Sequence, residues 1–154
     1  IYTLSLHDAL PISVKETLKK ISSAGKHLEI TTLIITGLND DAEEMKKEAD
    51  WIARELGSNT PLHLSRYFPS YKRENPITPD DTLKKLYDTA SEILDYVYIG
   101  NTRSATGQNT LCPYCKSTVT IRSGYNIQKT NLDDTGRCIK CGKPVYRYLN
   151  FSSS

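Results

Sequence analysis

The sequence predicts an α/β fold: a parallel sheet of about three βα units, part of a (β/α) barrel, followed by a small cysteine-bearing module. Three observations predict it. Helical and strand patterns alternate between residues 14 and 101. The first strand pattern, His27 to Ile35, is a nearly unbroken β-rich apolar run, typical of parallel strands covered on both faces. Four cysteines then stand as two C-x-x-C pairs, Cys112 with Cys115 and Cys138 with Cys141, with 22 residues between the pairs.

Taken in order, Val14 to Ala24 reads as a short helix with Val14, Leu18 and Ile21 on one face and Gly25 as its stop. Ser13 and Glu16 stand at capping-box spacing. After the first strand, Thr36-Gly37-Leu38-Asn39 breaks the run. Asp40 and Glu43 offer a second capping box for a helix reaching Leu56, whose Ala42, Met45, Ala49, Ile52 and Leu56 form one apolar stripe. Pro61 to Phe68 is the second strand, and residues 69–76 form a long polar loop. Thr78 as N-cap, with Pro79, Asp80 and Asp81 behind it, opens a third helix. Leu83, Leu86, Tyr87, Ala90, Ile93 and Leu94 line its inner side. Tyr96 to Gly100 is the third strand.

Such alternation implies right-handed βαβ units. Three strands cannot close a barrel, which takes roughly 250 residues, so residues 14–101 are expected to be its C-terminal part. Residues 1–13 resemble the translation of a sequencing adapter and lack an initiator Met, so they are expected to be non-native. Residues 102–111 are expected to be a linker, and 112–150 the second module.

The chain has 154 residues, 38% of them hydrophobic and 25% charged, as suits a globular protein. Its longest strongly apolar run, Leu33-Ile34-Ile35, is far short of the about 20 residues that span a bilayer. With no secretory signal either, a cytoplasmic location is expected and a membrane partner is not. From Thr102 onward, eight Lys and Arg face only Asp133 and Asp134, while the earlier part is mildly acidic, which separates two modules.

Each C-x-x-C turn points two thiolates the same way, so two turns make a tetrahedral S₄ cage suited to zinc or iron. In a reducing compartment, disulfides are disfavoured. Four protein thiolates close the coordination sphere, so the metal is expected to be structural zinc in a ribbon. Gly142 follows the second knuckle, whereas Lys116 stands after the first, where Gly is more usual. Val119 and Ile121 alternate with polar neighbours, Gly124 turns the chain, Tyr125 to Ile127 returns, and Val145 to Leu149 offers a third strand. So small a module buries little, so the metal is expected to hold it together.

Four segments, in this order, carry a resemblance: Leu28 to Asp40, His63 to Pro69, Tyr96 to Asn101, and Asn109 to Cys115 with the second knuckle. They resemble the C-terminal portion of the radical S-adenosylmethionine (radical SAM) enzyme of the AmmeMemoRadiSam system, which is similar to pyruvate formate-lyase activating enzymes. Thr36 departs from the Pro common in that loop. The resemblance implies a radical SAM barrel whose intact form binds a [4Fe-4S] cluster and S-adenosylmethionine and generates a 5′-deoxyadenosyl radical. It also implies as partners the missing N-terminal half of the barrel and the other proteins of that system. The C-x-x-x-C-x-x-C loop that holds the cluster is absent here, so this chain alone is expected to be inactive.

Barrel sites sit at the C-terminal ends of strands. The resemblance places Ile35 beside adenine, and Ser65, Arg66 and Tyr67 near S-adenosylmethionine or substrate. Arg66 suits a carboxylate clamp or, equally, a surface ion pair. His63 reads as structural. Glu29 either faces the barrel interior or lies exposed at strand entry. The alternative function is a basic zinc-ribbon module binding nucleic acid or partner proteins. Nucleic acid is disfavoured, because the basic residues are scattered rather than clustered with aromatics.

Overall fold

The computed structural model describes residues 12–72, 74–124 and 126–146. The chain divides into two compact units, Ile1–Gly107 and Gln108–Ser154. No helix among the described residues is long and apolar enough to cross a membrane.

The first unit contains α1 (Ile12–Ser23), β1 (Ile30–Ile34), α2 (Ala42–Glu55), β2 (Leu62–Arg66), α3 (Asp80–Ser91) and β3 (Val97–Gly100). Most of the adapter-like segment, residues 1–11, lies outside the described residues. Ile12 and Ser13 form the start of α1, so Ser13 sits inside the helix and is not its N-cap. The cap of α2 also differs from expectation. It is Asp41, whose carboxylate accepts the N–H groups of Glu43 and Glu44 at 2.9 and 3.2 Å. Asp40 instead accepts from the N–H of Gly37 at 3.0 Å and braces the preceding turn.

The sheet is parallel in the order β1-β2-β3, so sequence neighbours are spatial neighbours. The register aligns Ile30, Leu62 and Val97 in one row and Thr32, Leu64 and Ile99 in another, all buried. These rows pack with Met45, Ala49 and Ile52 of α2 and with Leu83, Leu86 and Ala90 of α3 in a single core. Both crossover helices therefore lie on one face, as right-handed crossovers in a constant direction require. A doubly wound sheet reverses direction and covers both faces. Here the other rows, Thr31 with His63 and Tyr98, and Leu33 with Ser65 and Gly100, are only half-buried or exposed. The near-continuous apolar pattern of His27 to Ile35 suggested burial on both faces; among the described residues only one face of β1 is covered.

The segment expected to be a linker is structured. Ile99 donates its N–H to the carbonyl of Gly107 at 3.0 Å, which holds Gly107 beside β3, and Thr102 donates its hydroxyl to Asp80 at 2.8 Å. A Cβ at Gly107 would stand 2.8 Å from Ile99 Cγ1, and its φ of 70° also favours glycine. The second unit then begins with β4 (Thr110–Leu111), which joins β5 (Thr118–Ser123) and β6 (Asn126–Lys129) in an antiparallel sheet ordered β4-β5-β6. Among the described residues its third strand is β4, ahead of the first knuckle; most of the strand expected at Val145 to Leu149 lies outside them. Val145 donates its N–H to Gly136, and residues 147–149 lie outside the described residues. Val119 and Val145 are the buried aliphatic side chains of this unit among the described residues, a small apolar core for so short a chain.

Candidate metal centre

The C-terminal ends of the parallel strands place the residues singled out in the sequence on different sides. Ile35 is buried; its N–H donates to Asn39 Oδ1 at 2.8 Å, and Asn39 Nδ2 returns to the carbonyl of Leu33 at 2.9 Å. Ser65 lies in the uncovered rows and accepts from Asn101 Nδ2 at 2.9 Å, a bond joining the ends of β2 and β3. Arg66 pairs in register with Ile34, on the helix-covered side. Its guanidinium meets Asp80 at the start of α3 at 3.1 Å and lies over the Phe68 ring, 5.7 Å away. Of the two readings of Arg66, the geometry here is the ion pair. Tyr67 is buried, and its N–H reaches Thr78 Oγ1 at 3.4 Å. Thr78 was expected to cap α3, but the cap position belongs to Pro79 and no side chain fills it. The Thr78 hydroxyl instead donates to the carbonyl of Ile34 at 2.6 Å and ties the ends of β1 and β2 together.

At the opposite end of the strands, Glu29 is half-exposed and accepts from His27 at 2.8 Å and His63 at 3.0 Å. The His27 hydrogen bond, with the nearby His63, holds its carboxyl below the ordinary range. His63 also stacks on Tyr98, with ring centroids 5.1 Å apart.

The four cysteines come together. Their sulfurs all lie within 4.8 Å of one another, with Cys112 Sγ 3.6 Å from Cys141 Sγ and Cys115 Sγ 3.7 Å from Cys138 Sγ. A disulfide needs about 2.05 Å, so all four are free. Zinc–sulfur bonds of about 2.3 Å in a tetrahedron put sulfurs about 3.8 Å apart, and the observed contacts fit that cage.

The two knuckles repeat one backbone plan. Cys112 accepts from the N–H of Lys116 and donates to the carbonyl of Ser117, at 2.9 and 2.8 Å. Cys138 does the same with Gly142 and Lys143, at 2.7 and 2.9 Å. Lys116 and Gly142 share the left-handed conformation this turn demands, with φ of 58° and 71°. Cys112 and Cys138 are buried, Cys115 is exposed and Cys141 is half-buried.

The electrostatics call for a cation. The Ser117 hydroxyl and N–H bring the Cys115 thiol below its ordinary value. The same hydroxyl bond brings Cys138 down to about 6. Cys141 is pushed up to about 12: the Lys143 N–H favours its thiolate, but burial and the neighbouring sulfurs outweigh that bond. Four thiolates this close repel one another strongly, and a dication that binds all four at once removes the conflict. The site can hold a metal ion such as zinc in a closed shell of protein sulfur.

No protein-family model matches the chain. No solved structure matches it. It is 39% identical over 135 residues to the uncharacterized protein MJ0808 of Methanocaldococcus jannaschii. That match takes in 86% of this chain and 40% of the relative, so the chain spans about two fifths of the relative's length.

Several residues that shape these sites carry no sequence signal. Ser117, whose hydroxyl lies 3.1 Å from Cys115 Sγ and 3.3 Å from Cys138 Sγ, is one of many serines. Asn39 and Asn101 look like ordinary loop residues, although Asn101 takes a φ of 58°, which Asn tolerates better than most. Glu48, in the helical stripe's neighbourhood, is buried against Thr32, which donates to it at 2.5 Å.

Proposed function

We propose that this chain is the C-terminal portion of a radical SAM enzyme of the AmmeMemoRadiSam type, akin to pyruvate formate-lyase activating enzymes, ending in a zinc ribbon. The observation that carries the reading is the winding of the sheet. Three parallel strands in sequence order, with both crossover helices on one face, are what a segment of a (β/α) barrel requires. The uncovered rows then face the barrel lumen, and they are the more polar ones, with His63, Ser65 and Tyr98 among them. A relative more than twice as long leaves room for the remaining units.

In this reading a [4Fe-4S] cluster and S-adenosylmethionine supply the redox chemistry of the whole enzyme. The four cysteines here do not fit that cluster: their sulfurs, all within 4.8 Å of one another, would close around a single ion and leave no iron open for a ligand. The cluster therefore belongs to another part of the longer protein. What this chain contributes is a wall. Ser65 and Asn101, bonded to each other at the ends of β2 and β3, present polar groups to the lumen, and Asn39 fixes the turn after Ile35. Ile35 and Tyr67 are buried at the same end and shape it. Arg66 holds the start of α3 through Asp80.

The test is anaerobic reconstitution of the full-length protein with iron and sulfide. It should form 5′-deoxyadenosine from S-adenosylmethionine under reduction, and its sequence should carry C-x-x-x-C-x-x-C before residue 14. A full-length sequence without that triad would remove the reading. For the ribbon, elemental analysis should find about one zinc per chain; iron in its place would overturn the zinc assignment.

A further inference from the structure

We propose that the Ser117 hydroxyl is a positioning donor for the metal, shared between one thiolate of each knuckle, and that it sets how slowly bound zinc escapes. This rests on reading the four-cysteine cage as a zinc site.

The internal repeat of the two knuckles isolates the hydroxyl. Ser117 and Lys143 occupy equivalent places, five residues after the first cysteine of each pair. Both give their carbonyl to that cysteine's N–H, and both give their own N–H to the second cysteine's sulfur. Those backbone bonds build either knuckle, and Lys143 builds its knuckle with no hydroxyl. The Ser117 hydroxyl is therefore surplus to the turn. It points at the cage, 3.1 Å from Cys115 Sγ in its own knuckle and 3.3 Å from Cys138 Sγ in the other.

Metal-bound thiolates carry no proton, so the hydroxyl must be the donor, and its one proton is shared between two sulfurs. Such a bond withdraws electron density from the sulfur and makes it a poorer target for protons and electrophiles. Cys115 is the exposed ligand, and a closed shell opens where solvent reaches it first. Cys138 is fully buried. Sharing one proton between them ties the vulnerable sulfur to the protected one and bridges the two knuckles beside the ion. A serine here retains metal without adding a ligand.

The test uses the full chain loaded with zinc. Ser117→Ala and Ser117→Thr are compared with the unaltered protein for the rate at which zinc passes to an excess of a chromogenic chelator. The same three chains loaded with cobalt report the sulfur-to-metal charge-transfer band. Ser117→Ala should release zinc about 10-fold faster, within the range that outer-shell partners of metal ligands typically contribute, and its cobalt band should move to lower energy. Ser117→Thr, which keeps the hydroxyl, should match the unaltered chain in both. Should the alanine chain hold no zinc at all, retention by the threonine chain still supports the proposal, and loss in both overturns it. One zinc per chain with equal release rates in all three sinks this inference alone. An unaltered chain that binds no metal sinks the zinc reading itself.

Discussion

Glu48→Gln should make the first unit more stable at neutral and alkaline pH and leave it unchanged in acid. Glu48 lies on α2 with its side chain buried on the sheet side, where Thr32 of β1 donates to it at 2.5 Å. Burial pushes its carboxyl from the ordinary 4.5 up to about 7, and the Thr32 bond only partly opposes that. The folded chain thus holds a proton that the unfolded chain releases near 4.5. Stability is fully present below pH 4.5, falls by about 1.4 kcal/mol per pH unit above it, and levels off past pH 7. The total comes to about 3 kcal/mol, a large share of a typical domain's stability. Glutamine keeps the acceptor for Thr32 and never ionises. Trp51, the one tryptophan, sits on α2 against this core, so its fluorescence follows the first unit alone through urea unfolding. Midpoints of the two chains should coincide near pH 4.5, separate steadily to about pH 7 and hold that separation to pH 8, with the variant higher. A separation that stays constant across that range, or that favours glutamate at pH 8, would refute the argument from burial.

Other consequences are open to the same kind of measurement. Lys116→Gly should stabilise the metal-bearing unit by about 1 kcal/mol, and Gly142→Ala should destabilise it by about 1–2 kcal/mol, since both positions are left-handed; zinc-loaded unfolding midpoints would show the opposite signs. Thr78→Val removes the hydroxyl that accepts from the N–H of Tyr67 and donates to the carbonyl of Ile34, both in a buried place, and should cost about 1–3 kcal/mol in urea unfolding followed by Trp51. Stripping the metal with a strong chelator should erase amide-exchange protection in β5 and β6 while leaving β1 and β2 protected, because the second unit has so little apolar core. Loss of protection in both units together would contradict the division of the chain between Gly107 and Gln108.

The strands and cysteines were legible because their signals are local. Apolar runs such as Leu33-Ile34 and the paired C-x-x-C spacing need no tertiary knowledge to interpret. The helix caps were less so: Asp40 and Asp41 are chemically alike, and only the turn after Gly37 decides which one faces the helix. Thr78 carries every mark of a cap, yet its hydroxyl finds a better acceptor on Ile34, 44 residues away. Long-range partners of this kind leave no periodic trace. The same holds for Glu48, whose burial depends on Thr32 lying opposite, and for Glu29, which binds His27 just before β1 and His63 on β2. β4 is two residues long, too short for any pattern, and it exists because β5 offers it an edge. Arg66 was readable as a charge but not as to its side, because register against Ile34 decides that.

Because each knuckle closes on its own short-range backbone bonds, its pair of sulfurs is aimed before an ion arrives. Capture can then proceed by halves, one turn seizing the ion and the other swinging in to complete the grip. The 22 residues from Lys116 to Arg137 act as a tether whose length sets only how often the halves meet. Grafts or insertions at the Ser123–Gly124 bend should therefore slow assembly and loosen the finished clasp by the same modest factor, while the rate of opening stays as it was.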